Sequence, residues 1–180
     1  MPGCASTTIR SRSIMPVGED MAVRLAVVAD APAVASVHVQ TWQAAYRGLV
    51  PDSVLDGLSV EARTSMWERS IPRGGVWVGL VDSTVVGFVA VGPSREPDAA
   101  FELYAIYVLP SAWGTGLGHE LARAALGAEQ DVVLWVFDEN PRARRFYERL
   151  GFRADNTVRT ETIGGAELKE IRYRFTGFAE

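Results

Sequence analysis

At 180 residues, 48% hydrophobic and 22% charged, the chain is sized for one well-buried domain. A net charge of −4 argues against a nucleic-acid partner gripped by bulk charge, and one cysteine with two histidines excludes an intramolecular disulfide and leaves no metal cluster to expect. No apolar run approaches the ~20 residues of a membrane helix and no secretory signal opens the chain, so a soluble cytoplasmic protein without a membrane partner is expected.

Residues 1–20 (MPGCASTTIRSRSIMPVGED) are polar and without period, and read as a disordered extension; residues 21–180 read as one domain. A first strand is expected over 22–28. Asp30 is placed to cap a helix with Pro32 in its first turn, running through Val34, Val37, His38, Thr41, Trp42 and Ala45. Gly48 and Pro51 break it, and short helices restart after Asp52 or Ser53 and after Ser59. Val76–Val81 and Val85–Val91 form a hairpin about residues 82–84, with Gly87 marking a bulge or a close approach. After the loop 92–98, Phe101–Val108 is a strand rich in aromatic and β-branched residues, ended by Pro110. Trp113-Gly114-Thr115-Gly116-Leu117-Gly118 then leads into a helix with Leu117, Leu121, Ala124, Ala125 and Ala128 on one face. Val132–Phe137 is a continuously apolar strand, as suits burial on both faces. Asn140 caps a helix that Pro141 opens, Ala143, Phe146, Tyr147 and Leu150 line, and Gly151 ends. Phe152–Phe175 is a long hairpin about Gly164-Gly165.

The chemistry lies in the stretch 101–129. Glycines ahead of a helix leave unpaired N–H groups, which with the helix dipole suit an anion; a glycine-rich turn without a ligand is the plainer alternative. No lysine follows, so the loop is not a phosphate-binding G-x-x-x-x-G-K-[ST], and His119 stands where a dinucleotide G-x-G-x-x-G needs its third glycine. The remaining G-x-G-x-G pattern resembles the pyrophosphate loop of the GNAT superfamily of acyl-CoA-dependent N-acetyltransferases, [Gln/Arg]-x-x-G-x-[Gly/Ala]. Gly116 and Gly118 match it, while Trp113 stands where that family has Gln or Arg. A second motif, Asn140-x-x-Ala143-x-x-x-Tyr147-x-x-x-Gly151-Phe152, follows in the order the family uses.

The resemblance implies an α/β fold: a mixed central β-sheet, splayed at the cofactor site, with helices on both faces. It implies acetyl-CoA as acyl donor and no metal, and direct transfer to a primary amine in a ternary complex. The pyrophosphate would rest on the N–H groups of Gly114, Thr115, Gly116, Gly118 and His119, with Leu117 in the same turn. The pantetheine arm would add to the central strand at Ile106 and Val108, and Asn140 and Ala143 would touch the cofactor. Tyr147 matches the family's general acid; a phenol of pKa near 10 can protonate a departing thiolate. An amine of pKa near 10 costs roughly 4 kcal/mol to deprotonate at pH 7. Glu102 is the candidate base, with Tyr104 and Ile106 expected on its face by period two; a rim carboxylate is the alternative. Trp42 and Tyr46 would line the acceptor pocket, or be core aromatics. Arg142, Arg145 and Arg149 share a helix face that could meet the CoA 3′-phosphate or simply be solvated. The acidic balance favours a small cationic amine over a peptide or protein acceptor, and the family's habit of pairing makes a homodimer an expectation. A non-catalytic acyl-CoA-binding regulatory domain and an unrelated nucleotide-binding domain remain as other readings.

Overall fold

The computed structural model describes residues 15–16, 21–127 and 131–178. The expected extension at 1–20 lies outside these apart from Met15–Pro16, as does Ala128.

The described chain forms one mixed sheet: β1 (Met15–Pro16), β2 (Met21–Leu25), β3 (Val76–Val81), β4 (Thr84–Pro93), β5 (Phe101–Val108), β6 (Val132–Phe137), β7 (Phe152–Ile163) and β8 (Ala166–Phe175), in spatial order β1-β2-β3-β4-β5-β6-β8-β7. All neighbours are antiparallel except β5 and β6. Alternation along the strands sorts two cores. Val76, Val78, Phe88 and Ala90 meet Val34, Val37 and Trp67 of α1 (Ala31–Ala45) and α3 (Val60–Ser70). Trp77, Val89, Leu103 and Ile106 pack with Leu117, Leu121, Tyr147 and Leu150 of α4 (Leu117–Leu126) and α5 (Pro141–Leu150). Helices therefore cover both faces. A third cluster of Val50, Leu55, Phe137 and Leu168 ties α2 (Asp52–Asp56) to the β7–β8 hairpin. Among the described residues no helix is long and apolar enough to cross a membrane.

β5 and β6 pair only at Phe101↔Val132 and Glu102↔Val133. Beyond that register the two parallel strands part, and the sheet opens over the second half of β5. This is the expected splay.

Several local expectations hold. Ser59 accepts from the Ala62 N–H (3.1 Å) and Asn140 Oδ1 from the Ala143 N–H (3.1 Å), so both cap their helices. The β3 register slips between Gly79 and Leu80 opposite Val85–Gly87, and Gly87 also admits the side chains of Val108 and Leu121. Others are corrected. The first strand stops at Leu25 rather than residue 28, and Val28–Asp30 turns as a 3₁₀ helix. Asp30 caps that turn instead of α1: its carboxylate accepts the Val27 N–H (2.8 Å) and is gripped by Arg24 at 2.7 and 2.9 Å. The fully buried stripe of α4 is Leu117, Leu121, Ala122 and Leu126, with Ala124 and Ala125 half-buried at its flank.

Candidate active site

A cavity of about 640 Å³ occupies the place where β5 and β6 diverge. Its floor is Ile106, Tyr107 and Val108; one wall is the loop before α4, another the first turns of α5, and α1 closes the far end with Thr41, Ala45 and Tyr46.

Apart from the Val108 carbonyl, the strand presents bare backbone here. The Leu109 N–H donates to the Val86 carbonyl (2.8 Å), towards β4. Alternation turns Tyr107 the same way and points the main-chain groups of Ile106 and Val108 into the opening. The Val108 carbonyl accepts from Trp113 Nε1 at 2.7 Å, which pins the loop to the strand end.

The loop is shaped by glycine. Gly114 and Gly116 have φ of 80° and 91°, a region that costs an L-residue roughly 1–2 kcal/mol. Gly118 serves differently: a Cβ there would lie 3.0 and 3.1 Å from the Phe146 ring, so its absence lets α5 close on α4. Among the described residues, the N–H groups of Gly114, Thr115, Gly116 and Gly118 have no acceptor. The His119 N–H donates to the Gly116 carbonyl at 2.9 Å, which corrects the expectation that it is free for an anion. Leu117 points its side chain into the core, fully buried, and Thr115 Oγ1 donates to the Ala112 carbonyl (2.8 Å). Neither side chain belongs to the lining, whereas Gly114, Gly116, Gly118 and His119 do.

α5 brings Asn140, Ala143, Phe146 and Tyr147 to the cavity. Tyr147 is 9% exposed, and its hydroxyl has no hydrogen-bond partner among the described residues. Burial first, and the neighbouring Tyr107 second, push its pKa above the ordinary value, so it is a proton donor at neutral pH. Burial does the same to Tyr46, with Tyr107 and Tyr147 adding to it. Trp42 is outside the lining; it packs beside Tyr46 at 5.1 Å and donates from Nε1 to the Tyr107 hydroxyl (3.0 Å).

The structure does not bring Glu102 to this cavity. Its side chain is 1% exposed and bound by Arg95, through Nε at 2.9 Å and through Nη2. The expectation that Tyr104 and Ile106 share its face holds for Tyr104, whose ring lies 5.4 Å under the Arg95 guanidinium that binds Glu102, and is overturned for Ile106. β5 slips register against β4 at Ala90↔Ala105 and Val91↔Leu103, leaving Tyr104 as an extra residue. That bulge breaks the period of two, so Leu103 and Ile106 fall on one face and Glu102 is turned from it.

Sequence reasoning missed Tyr107, Thr41 and Phe146 as lining residues. For Tyr107 the strand period carried no signal, because the unseen bulge set its face. Arg142, Arg145 and Arg149 also line the cavity rather than standing only in solvent; their shared helix face was the available signal.

Relatives with this architecture are numerous. The family model described as "Acetyltransferase (GNAT) family" matches residues 40–152. The Bacillus subtilis (strain 168) "Uncharacterized N-acetyltransferase YuaI" is 31% identical over 159 residues, 83% of this chain and 89% of its own. The Mycobacterium tuberculosis "Probable N-acetyltransferase Rv2775" is 26% identical over 162 residues, 84% of this chain and 91% of its own. Among solved structures, the PaiA N-acetyltransferase of Thermoplasma acidophilum in complex with coenzyme A superposes with a TM-score of 0.67 at 18% identity, covering 86% of this chain and 99% of that one. YncA of Salmonella typhimurium, solved with its cofactor acetyl-CoA, gives 0.66 at 20% identity over 87% and 94%. The two structures share the fold, and the family match spans both the glycine loop and the Asn140–Phe152 motif: this chain belongs to the GNAT family of acetyltransferases.

Proposed function

We propose that the protein transfers the acetyl group of acetyl-CoA directly to a primary amine, a small molecule in preference to a protein, within a ternary complex. The observation that carries the reading is the continuity of one cavity from the free N–H groups of the Gly114–Gly118 loop, along the unpaired edge of β5, to Tyr147 and Tyr46. These features fit a long, anionic, amide-rich donor. The loop and the dipole of α4 suit its phosphates, and the edge of β5 suits an arm that hydrogen-bonds like a strand.

At the reacting centre, the amine nitrogen attacks the thioester carbonyl carbon. Its oxygen takes negative charge, which a main-chain N–H of the Ile106–Val108 stretch would stabilise; such a donor is worth roughly 3–4 kcal/mol. The C–S bond then breaks, the thiolate takes the Tyr147 proton, and the proton left on the acylated nitrogen passes to solvent, from which Tyr147 is reprotonated. Tyr147 is suited to this because burial keeps it protonated at rest. The carboxylates of Glu102 and Glu170 are each held by an arginine, Arg95 and Arg159. The acceptor would therefore lose its proton to water or to bulk base. The cytoplasm is the proposed place of work, in keeping with a lone cysteine and no disulfide.

Initial rates of CoA thiol release against a panel of small primary amines and lysine peptides test this. Intersecting double-reciprocal lines with a small amine are expected. Parallel lines would reject direct transfer. Tight acetyl-CoA binding with no turnover on any amine would favour the non-catalytic domain instead.

A further inference from the structure

The donor end of the cavity holds a cation without an anion. Arg142, on the first turn of α5, stacks its guanidinium 3.1 Å from the centre of the Trp113 ring, across the cavity mouth from its own helix. Its neighbour Arg144 is neutralised by Asp138 at 2.8 Å. Arg142 has no carboxylate partner among the described residues, and desolvation is the only influence on its pKa, which it lowers. Arg145 and Arg149 of the same lining also lack a carboxylate partner among the described residues, but of the three it is Arg142 that is stacked on Trp113, beside the loop of acceptorless N–H groups.

Its geometry is fixed from both sides. Trp113 is anchored by its indole N–H on the Val108 carbonyl, which leaves its ring face as the platform for Arg142. The backbone of Arg142 is fixed by the Asn140 cap on Ala143 and by Pro141 at the helix start, and its guanidinium rests on Trp113. Stacking uses the face of the guanidinium and leaves its in-plane N–H edges free for two anionic oxygens at once. The loop itself contributes backbone donors and no side-chain cation.

We propose that Arg142, seated on Trp113, is the side chain that clamps the donor's pyrophosphate onto the Gly114–Gly118 loop. This rests on the reading of the cavity as an acetyl-CoA site and assigns its charged contact to two residues acting as one unit.

The test is calorimetric binding of acetyl-CoA, S-acetyl-dephospho-CoA and S-acetylpantetheine to the full chain and to Arg142→Ala, Arg142→Lys, Trp113→Ala and the double variant. Arg142 is exposed, so its variants should unfold at the wild-type temperature. Arg142→Ala should weaken acetyl-CoA and S-acetyl-dephospho-CoA by tenfold or more, and leave S-acetylpantetheine, which lacks the pyrophosphate, within twofold. Arg142→Lys should recover only part of the loss. Trp113→Ala should weaken binding similarly, and the double variant should be no worse than the poorer single one. An Arg142→Ala protein that binds acetyl-CoA within twofold of wild type overturns the proposal. So does a penalty that disappears with S-acetyl-dephospho-CoA, since the contact would then be to the 3′-phosphate. Wild-type protein that binds no acetyl-CoA overturns both this proposal and the proposed function; a wild type that binds beside an indifferent Arg142 variant overturns this one alone.

Discussion

Replacing Tyr147 by Phe removes one oxygen from a buried side chain. Because that hydroxyl has no partner among the described residues, the substitution strands no other group, and the stability change should stay within about 1 kcal/mol. The catalytic loss should be larger but bounded. General acid catalysis typically contributes 10²–10⁴-fold. Here burial and Tyr107 hold the phenol above its usual pKa of about 10, while a thiol titrates near 8.5, so proton transfer to the thiolate runs uphill by at least about 2 kcal/mol. That mismatch places the expected fall in kcat near 10²-fold, about 2.7 kcal/mol, with the KM for acetyl-CoA little changed. The pH profile gives a second readout. An acid must be protonated to act, so activity is lost as pH rises through its pKa; a raised pKa means no descending limb from Tyr147 below about pH 10. Steady-state kinetics on wild type and variant from pH 6 to 10 measure both. A Tyr147→Phe enzyme with kcat within twofold of wild type would refute the assignment.

Three further outcomes follow from the packing. Glu102→Gln breaks the Arg95 pair and leaves the buried amide half-satisfied, so thermal unfolding should register a loss of about 1–3 kcal/mol while kcat stays within a few-fold; a selective loss of kcat at unchanged stability would show that Glu102 does act on the amine. Gly118→Ala drives a methyl to 3.0 Å from the Phe146 ring and should cost about 1–3 kcal/mol, at roughly 2–4 °C per kcal/mol, with weaker acetyl-CoA binding as α5 is pushed from the loop. Phe146→Leu in the same chain should restore part of the melting temperature, and no restoration would locate the strain elsewhere. His38 is buried among Trp42, Trp67, Phe88 and Tyr107, and desolvation first, then Arg63, lowers its pKa to about 4. The unfolded chain therefore binds a proton below pH 6.5 that the folded one refuses down to about 4. Stability should be full above pH 6.5 and fall by roughly 3 kcal/mol in total between those values. His38→Gln should flatten this slope in a series of melting temperatures, and an unchanged slope would contradict it.

Much of this was legible because local chemistry agreed with the tertiary solution. The glycine spacing of the loop, the Asn140 cap and the Gly151 stop act through neighbours a few residues away, and sequence alone carries them. What stayed hidden depends on how strands and turns pair, which no short local pattern records. Arg24 lies only six residues before Asp30, but the grip closes across the turn from β2 into the 3₁₀ helix, and no capping pattern spans that turn. The Tyr104 bulge arises from the pairing of β4 with β5, so Glu102 could be placed on the right strand and on the wrong face. The Trp113–Arg142 stack joins residues 29 positions apart, and its two halves looked respectively like a motif mismatch and a solvated charge.

The most direct test of the acetyltransferase assignment is the melting temperature of the purified chain with acetyl-CoA, CoA, ATP or NAD at equal concentrations. A ligand at 100 times its dissociation constant adds about 2.7 kcal/mol of stability, easily seen as a shifted midpoint. A rise with acetyl-CoA and CoA alone is expected. A rise with ATP or NAD and none with either coenzyme would contradict the donor site on the Gly114–Gly118 loop.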